Sequence, residues 1–337
     1  MQDVLIAPMA GGPSTPDLVI AAARAGALGF LAAGYRTPEA VEAELRAVAG
    51  VEFGLNIFVP LPPPTDVPAI ERYRQLLHPE YERYEVDPPA LRLTDDDHFA
   101  AKVELAIAYR VPHVSFTFGV PDPPTVRALR AAGSRVLVTV TNPHEARRAL
   151  AAAPDALIAQ GGSAGGHAAT TDPAAYTGTT TAFDVLAQVR AITALPVIAA
   201  GGGDVPGLLR AGAAAVQCGT AFLLADEAGT RPTQRAVMLD APARETVVTR
   251  AFTGQPARAL RNRFTDTYSA AAPIGYPAVH HLTAPIRAAA ATRNDPEALN
   301  LWSGSLSTAH PTSAAAVLDY LRDTATTQGS HRKSTHS

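Results

Sequence analysis

The chain has 337 residues, of which 47% are hydrophobic and 18% charged; this globular composition and length suit one large α/β barrel or two average domains. Its formal net charge of -3 provides no basic field for a nucleic-acid partner, and its single cysteine, Cys218, excludes an internal disulfide framework or a cysteine-based zinc site. The sequence shows neither a signal-peptide pattern nor about 18 consecutive lipid-compatible residues, so we expect a cytoplasmic protein with no membrane partner.

Eight short apolar runs, each suited to a buried β-strand, alternate along the chain with alanine- and leucine-rich stretches of helical pattern. In chain order the runs begin at Val4, Leu28, Phe53, His113, Arg135, Ala156, Pro196 and Ala214. Several of the helical stretches begin at proline and end near glycine, as helices commonly do. Eight such units close more naturally into a barrel than into an open sheet. We therefore predict an α/β fold of the TIM type, a (β/α)8 barrel with its active site at the carboxyl ends of the strands.

The alternation is interrupted at two places. Residues 59–97 form a connection that is too long and too rich in proline for an ordinary loop, which predicts an excursion over the barrel mouth. After the barrel, assigned to residues 1–226, helical patterns predict a smaller, mostly helical capping domain at 227–303, inserted after the eighth strand. A helix at 304–324 is predicted to return to the barrel, and the polar residues 325–337 are predicted to form a disordered tail.

Glycine-rich turns and amide side chains follow several of the predicted strands. AQGGSAGGHAA occupies 159–169, AGGGD occupies 200–204 and QCGT occupies 217–220. Free backbone amides in such turns, next to a helix N-terminus, can receive a phosphate. The amides of Asn56, Gln160 and Gln217 lie at the same predicted rim and suit the heteroatom edge of a flat ring. A ring ligand with one phosphate, such as FMN, fits this pattern.

Several motifs together resemble those of the nitronate monooxygenase family, formerly called 2-nitropropane dioxygenases. The motifs are APMAGG, GLNIF, AQGGSAGGHAA, PVIAAGGGD and VQCGTAFL, and FTGQPARALRNRF, YPAVHHLTAPIRAAA and LWSGS extend the resemblance over roughly residues 4–305. The resemblance implies FMN in a (β/α)8 barrel under a smaller helical domain, with His167 as the catalytic residue. It implies FMN contacts from Pro8, Met9, Asn56, Gln160, Gly165, Gly202, Gln217, Cys218, Gly219 and Thr220.

Three positions depart from the family pattern. Ser163 stands where the family often has glutamate, Thr117 stands where histidine is often found, and the turn after the seventh strand is shorter than usual. These differences concern the choice of substrate more than the binding of flavin. Ser115 and Tyr276 are our candidates for residues that line the substrate pocket.

The imidazole of His167 suits either of two roles. A neutral nitroalkane must lose its α-proton, and an imidazole that titrates near neutrality is a suitable general base. A nitronate is already anionic, so His167 would only orient or bind it. The resemblance implies oxidation of the nitronate by O2 to a carbonyl compound and nitrite. The sequence leaves the choice between the two substrates open.

Other functions and minor features also remain open at this stage. The motif AGGH is shared with FMN- and NAD(P)H-dependent reductases of enoyl thioesters or quinones, and a flavin-free phosphate-binding barrel would have similar glycine turns. We interpret Cys218, His280, His281 and Trp302 as packing residues. We interpret TDDD at 94–97 as a solvated helix start, and we predict no metal site. The oligomeric state is not predicted.

Overall fold

The computed structural model describes residues 3–241, 244–304 and 312–330, with side chains up to residue 323. Its strands are β1 (Val4–Ile6), β2 (Leu28–Ala32), β3 (Gly54–Phe58), β4 (His113–Thr117), β5 (Arg135–Val140), β6 (Ala156–Gln160), β7 (Gly166–His167), β8 (Val197–Ala200), β9 (Ala215–Cys218), β10 (Thr246–Thr249) and β11 (Ala257–Leu260). Eight of them, β1 to β6 with β8 and β9, form a closed barrel of parallel strands. The predicted TIM-type barrel is confirmed, and each of the eight apolar runs contains one barrel strand.

The helices are α1 (Pro16–Arg24), α2 (Pro38–Ala47), α3 (Val67–Leu76), α4 (His78–Tyr84), α5 (Phe99–Ala108), α6 (Pro123–Ala131), α7 (Pro143–Leu150), α8 (Ala182–Arg190), α9 (Val205–Arg210), α10 (Pro232–Asp240), α11 (Arg263–Tyr268), α12 (Ala278–Thr292) and α13 (Ala314–Ser330). Their first turns explain why they begin where they do. Thr15, Thr37, Asp122 and Asn142 each accept a hydrogen bond from the backbone N–H three residues later, and a proline follows each of them directly. A side-chain cap followed by proline is a strong local start signal.

Alternating residues of the strands form the two layers of the barrel core. In β1, Leu5 joins an interior cluster with Phe30 and Ile158, whereas Val4 and Ile6 pack on the helix side with Leu18. This is the period of two expected for strands that are buried on both faces. Because all eight strands are parallel, their carboxyl ends meet at one rim of the barrel.

The cap at this rim is formed by two separate parts of the chain. Tyr73 and Tyr81, from the excursion 59–97, pack in one apolar cluster with Phe252, Phe264 and Leu282 from the region after the barrel. The region 227–303 is not only helical, since β10 and β11 join β7 in a three-stranded antiparallel sheet. A strand in the glycine loop was not predicted, because β7 has only two residues and gains its partner from a distant segment.

The last helix and the acidic run differ from their predictions. Helix α13 continues to Ser330, past the predicted end at 324; residues 305–311 and 331–337 lie outside the described residues. The run at 94–97 is not simply solvated. Asp97 pairs with the fully buried Lys102 at 2.8 Å, and Asp95 lies 2.9 Å from Nε2 of His281. Within the described part of the chain, no group of metal-ligating side chains and no helix able to span a membrane is found.

Candidate active site

One cavity lies at the carboxyl ends of the barrel strands, under the cap. It is lined by all the residues predicted to contact FMN, which are Pro8, Met9, Asn56, Gln160, Gly165, Gly202, Gln217, Cys218, Gly219 and Thr220. His167 lines the same cavity, together with Tyr35, Phe58 and Trp302 from other segments. The structure thus brings together residues that are more than 200 positions apart in the sequence. Their roles toward a ligand stay predictions.

The three amide side chains at the cavity differ in how many of their hydrogen-bonding groups already have a partner in the protein. The amide of Asn56 donates to Ser115 Oγ at 2.9 Å and to Thr117 Oγ1 at 3.0 Å. Gln160 donates to the carbonyl of His167 at 3.0 Å and accepts from the N–H of Ala169 at 2.7 Å. In contrast, the buried Nε2 of Gln217 has no partner among the described residues. A buried donor without an acceptor is costly, so Gln217 is the amide that most needs a ligand.

Backbone N–H groups gather where the loops after β8 and β9 meet. Those of Gly202, Gly203, Thr220 and Ala221 donate to no acceptor in the described ranges. Gly201 shapes the turn, since its φ is +87° and an added Cβ would lie 2.7 Å from the backbone nitrogen of Ala164. Only glycine fits such a position without strain. All four residues line the cavity, so several free backbone donors are available there, as in sites that receive a phosphate.

Gly304 packs against the glycine loop and against the loop after β9. An added Cβ on Gly165 would lie 2.5 Å from the backbone nitrogen of Gly304, so glycine at 165 is required for close packing of the two loops. The N–H of Gly304 donates to Oγ1 of Thr220 at 2.9 Å. The thiol of Cys218 is buried beside them, and burial raises its pKa to about 12. Such a thiol is unreactive, in agreement with its interpretation as a packing residue.

His167 sits in an aromatic enclosure and keeps one ring nitrogen free. Its ring lies 5.5 Å from that of Phe118 and 5.1 Å from that of Trp302, and its Nε2 lies 3.0 Å from Oγ1 of Thr253. Burial, with a smaller contribution from the Arg287 guanidinium, lowers the pKa of His167 to about 3. The enclosure disfavours the charged imidazolium, so the pKa of His167 lies below the near-neutral value expected of a free imidazole. His167 is neutral at ordinary pH.

An arginine without an acidic partner lies behind the cavity wall. The ring of Tyr35 stacks on His280 at 4.3 Å, and Nη2 of Arg287 donates to the His280 carbonyl at 3.0 Å. In the part of the chain that is described, no carboxylate lies within 4 Å of this guanidinium. Burial lowers the pKa of Arg287 to about 10, which still leaves it charged at neutral pH. The nearby Asp97 is paired with Lys102, and Arg287 is the charged group that acts on His167.

The two substrate-pocket candidates are not placed as predicted. Ser115 is fully buried beneath Asn56 and does not line the cavity. Tyr276 also lies outside the cavity lining, in a second layer, with its ring 6.3 Å from that of His167 and its hydroxyl beside that of Tyr35. Ser115 and Thr117 lie on the same face of β4, since both contact the amide of Asn56, and only Thr117, at the carboxyl end of the strand, reaches the cavity, whereas Ser115 lies one layer deeper in the barrel.

Sequence reasoning missed three residues of this site, namely Tyr35, Thr253 and Arg287. Thr253 belongs to the motif FTGQ. Arg287 follows His280 by seven residues on α12, so His280 and Arg287 lie on the same face of that helix. The motifs FTGQPARALRNRF and YPAVHHLTAPIRAAA contain Thr253 and Arg287, but spacing along the sequence does not reveal that either one approaches His167. Tyr35 follows the second strand closely, so its position at the rim of the barrel could have been predicted from the sequence.

Comparisons with known proteins agree with this architecture. The family model "Nitronate monooxygenase" matches residues 1–322. A relative named "Probable nitronate monooxygenase", from Staphylococcus aureus (strain Newman), is 33% identical over 314 residues, which cover 89% of this chain and 88% of the relative. A solved structure of nitroalkane oxidase from Streptomyces ansochromogenes has a TM-score of 0.91 at 41% identity, over 98% of this chain and 97% of that one. FabK from Thermotoga maritima has a TM-score of 0.74 at 24% identity, over 98% and 95% of the two chains, a similarity that shows the fold alone.

Proposed function

The chain belongs to the nitronate monooxygenase family, a family of flavin-dependent oxidoreductases, and from this premise we propose that it uses FMN and O2 to oxidise alkyl nitronates. The products would be a carbonyl compound and nitrite. Neutral nitroalkanes are proposed as a second class of substrate, because a nitroalkane oxidase is 41% identical to this chain.

The residues at the cavity fit FMN. The unpartnered Nε2 of Gln217 can donate to a carbonyl oxygen or ring nitrogen of the flavin, and the free N–H groups around Gly202 and Thr220 can hold its single phosphate. When bound, FMN would supply the site with an acceptor for electrons from the substrate. We assign the flavin contacts to Pro8, Met9, Asn56, Gln160, Gly165, Gly202, Gln217, Cys218, Gly219 and Thr220.

The observation that carries the choice of substrate is the buried Arg287 guanidinium near His167, which donates to the His280 carbonyl and has no carboxylate within 4 Å among the described residues. A nitronate carries its negative charge on the oxygens of the nitro group, and a positive potential in an enclosed cavity favours such an anion. With a neutral nitroalkane, His167 would take the α-proton while the same potential stabilises the anion that forms. The rings of Phe118 and Trp302 exclude water from this step.

Anaerobic mixing tests the proposed reaction. Propionate 3-nitronate should remove the absorbance of oxidised flavin from the wild-type holoprotein, whereas NADPH should not. Reduction by NADPH alone would contradict the proposal and favour the enoyl thioester or quinone reductase. A purified protein without flavin would instead favour a flavin-free phosphate-binding barrel.

Replacing Gly202 with glutamate should weaken flavin binding by at least about tenfold, because it would add bulk and a negative charge to the turn that we propose holds the phosphate. The measurement is the dissociation constant of FMN for the reconstituted apoprotein, with the released cofactor identified as FMN rather than FAD. Gly202→Ala is the matched control. The one contact of its Cβ under 3 Å would be with Cδ1 of Leu208, at 2.7 Å, the end of a flexible side chain, so the loss of affinity should be smaller. Wild-type affinity in Gly202→Glu would show that the phosphate lies elsewhere.

A further inference from the structure

A hydroxyl from the cap holds one of the two nitrogens of the His167 ring. Oγ1 of Thr253 lies 3.0 Å from Nε2, and the Thr253 side chain is buried. The contact is supported by strand pairing, since Ala257 in β11 pairs with His167 in β7. The other nitrogen, Nδ1, makes no hydrogen bond to any residue in the described ranges, and His167 lines the cavity. The ring therefore presents one engaged nitrogen and one free nitrogen.

The neighbours of Thr253 determine which atom donates in this contact. The hydroxyl has one proton, and the carbonyl oxygen of Gln255 lies 3.2 Å from Oγ1 in a direction that accepts it. Gln255 is buried, and its carbonyl receives no other hydrogen bond from the residues that the structure describes. The N–H of Gln255 also points at Oγ1, at 3.3 Å, and it can only donate.

These contacts leave one arrangement in which every buried group is satisfied. The hydroxyl proton goes to the Gln255 carbonyl, and Oγ1 accepts hydrogen bonds from the N–H of Gln255 and from Nε2–H of His167. If the hydroxyl donated to His167 instead, the buried Gln255 carbonyl would have no donor. A loss of that kind disfavours the reverse arrangement by about tenfold or more.

We propose that Thr253 is a positioning residue that fixes His167 as the Nε2–H tautomer, so that the lone pair of Nδ1 faces the cavity. The consequence for catalysis rests on the proposed function. With a neutral nitroalkane, Nδ1 takes the α-proton, the electron pair of the C–H bond stays on the substrate as the nitronate, and the imidazolium keeps its Nε2–H bond to Thr253. A preformed nitronate has no proton to give, so its reaction does not need this tautomer.

NMR of the imidazole nitrogens tests the tautomer without reference to activity. We would label the histidines of the FMN-loaded protein with ¹⁵N and identify the His167 signals as those missing from His167→Asn. In the wild type, Nε2 should be protonated and Nδ1 unprotonated. Thr253→Ser, which keeps the hydroxyl, should preserve this pattern, whereas the isosteric Thr253→Val should lose it. A wild-type spectrum with the proton on Nδ1, or an unchanged pattern in Thr253→Val, would overturn the proposal.

Kinetics with two substrates test the consequence. Thr253→Val should lower kcat for a neutral nitroalkane by about 10- to 100-fold, the size of effect found when an outer partner of a functional histidine is removed. The rate with the preformed nitronate should change by less than about threefold, and Thr253→Ser should restore both rates. Equal losses on both substrates would overturn the catalytic consequence. If the wild type reacted with neither substrate, the proposed function would fail, while the NMR spectrum would still decide the tautomer.

Discussion

Replacing His167 with asparagine should lower kcat/KM for a neutral nitroalkane by about 10² to 10⁴, the contribution expected of a general base. Asparagine keeps some capacity for hydrogen bonding but cannot accept the α-proton. The rate with the preformed nitronate should fall much less, because no proton has to be removed. Steady-state rates with both substrates, measured on variant and wild type of equal flavin content, give the comparison.

The difference between the two substrates separates catalysis from a folding defect. Misfolding would depress both rates together and release the flavin, whereas loss of the base affects one substrate selectively. His144→Asn on α7 is the matched control, since His144 does not line the cavity, and it should behave as the wild type. Equal rates in His167→Asn and wild type on both substrates, with flavin retained, would mean that His167 is only a structural residue of the loop.

Replacing Glu80 with alanine should lower the free energy of unfolding by about 3 kcal/mol, near the low end of the cost of breaking a buried ion pair. The carboxylate of Glu80 is 2% exposed and receives Nη1 and Nη2 of Arg263 at 2.5 and 2.7 Å. It also accepts from the hydroxyl of Tyr268 at 3.1 Å. The low end applies because Arg263 is 29% exposed, so water can reach part of the guanidinium that loses its partner.

Urea denaturation of the holoprotein measures this effect, and Glu85→Ala supplies the control. Glu85 follows α4 directly and pairs with Arg293 at 3.4 Å, but its side chain is 83% exposed. An exposed pair contributes at most about 1 kcal/mol, so Glu85→Ala should change stability little. Equal stabilities of the two variants would show that the pair between α4 and α11 does not hold the two parts of the cap together.

Local signals were sufficient to predict most of the barrel. Each strand is a short apolar run buried on both faces. The starts of helices such as α1 and α6 can be predicted from a capping side chain followed directly by proline. The positions of the glycine turns followed from the same alternation, since the carboxyl ends of parallel strands meet at one rim. His167 and Gln217 could be placed at that rim for this reason.

Other features depended on contacts between distant segments. The lowered pKa of His167 could not be read from the sequence, because its enclosure is built by Phe118, Trp302 and Thr253, which come from three different parts of the chain. Ser115 was predicted to line the substrate pocket, but its side chain lies beneath Asn56, outside the cavity lining. The pairing of β7 with β11 left no local pattern, because a strand of two residues has no periodicity to detect.

The sequence by itself determined the type and order of the barrel elements, the glycine turns and the family motifs, since these depend on periodicity, capping and backbone freedom within a few residues. Only the tertiary structure decided that burial lowers the pKa of His167 and that, among the described residues, Arg287 has no carboxylate within 4 Å and Nδ1 of His167 has no hydrogen-bond partner. Charge, burial and proton position at a site are set by which side chains face it in space. For this protein those side chains come from loops of the barrel and from the part of the cap that follows the barrel.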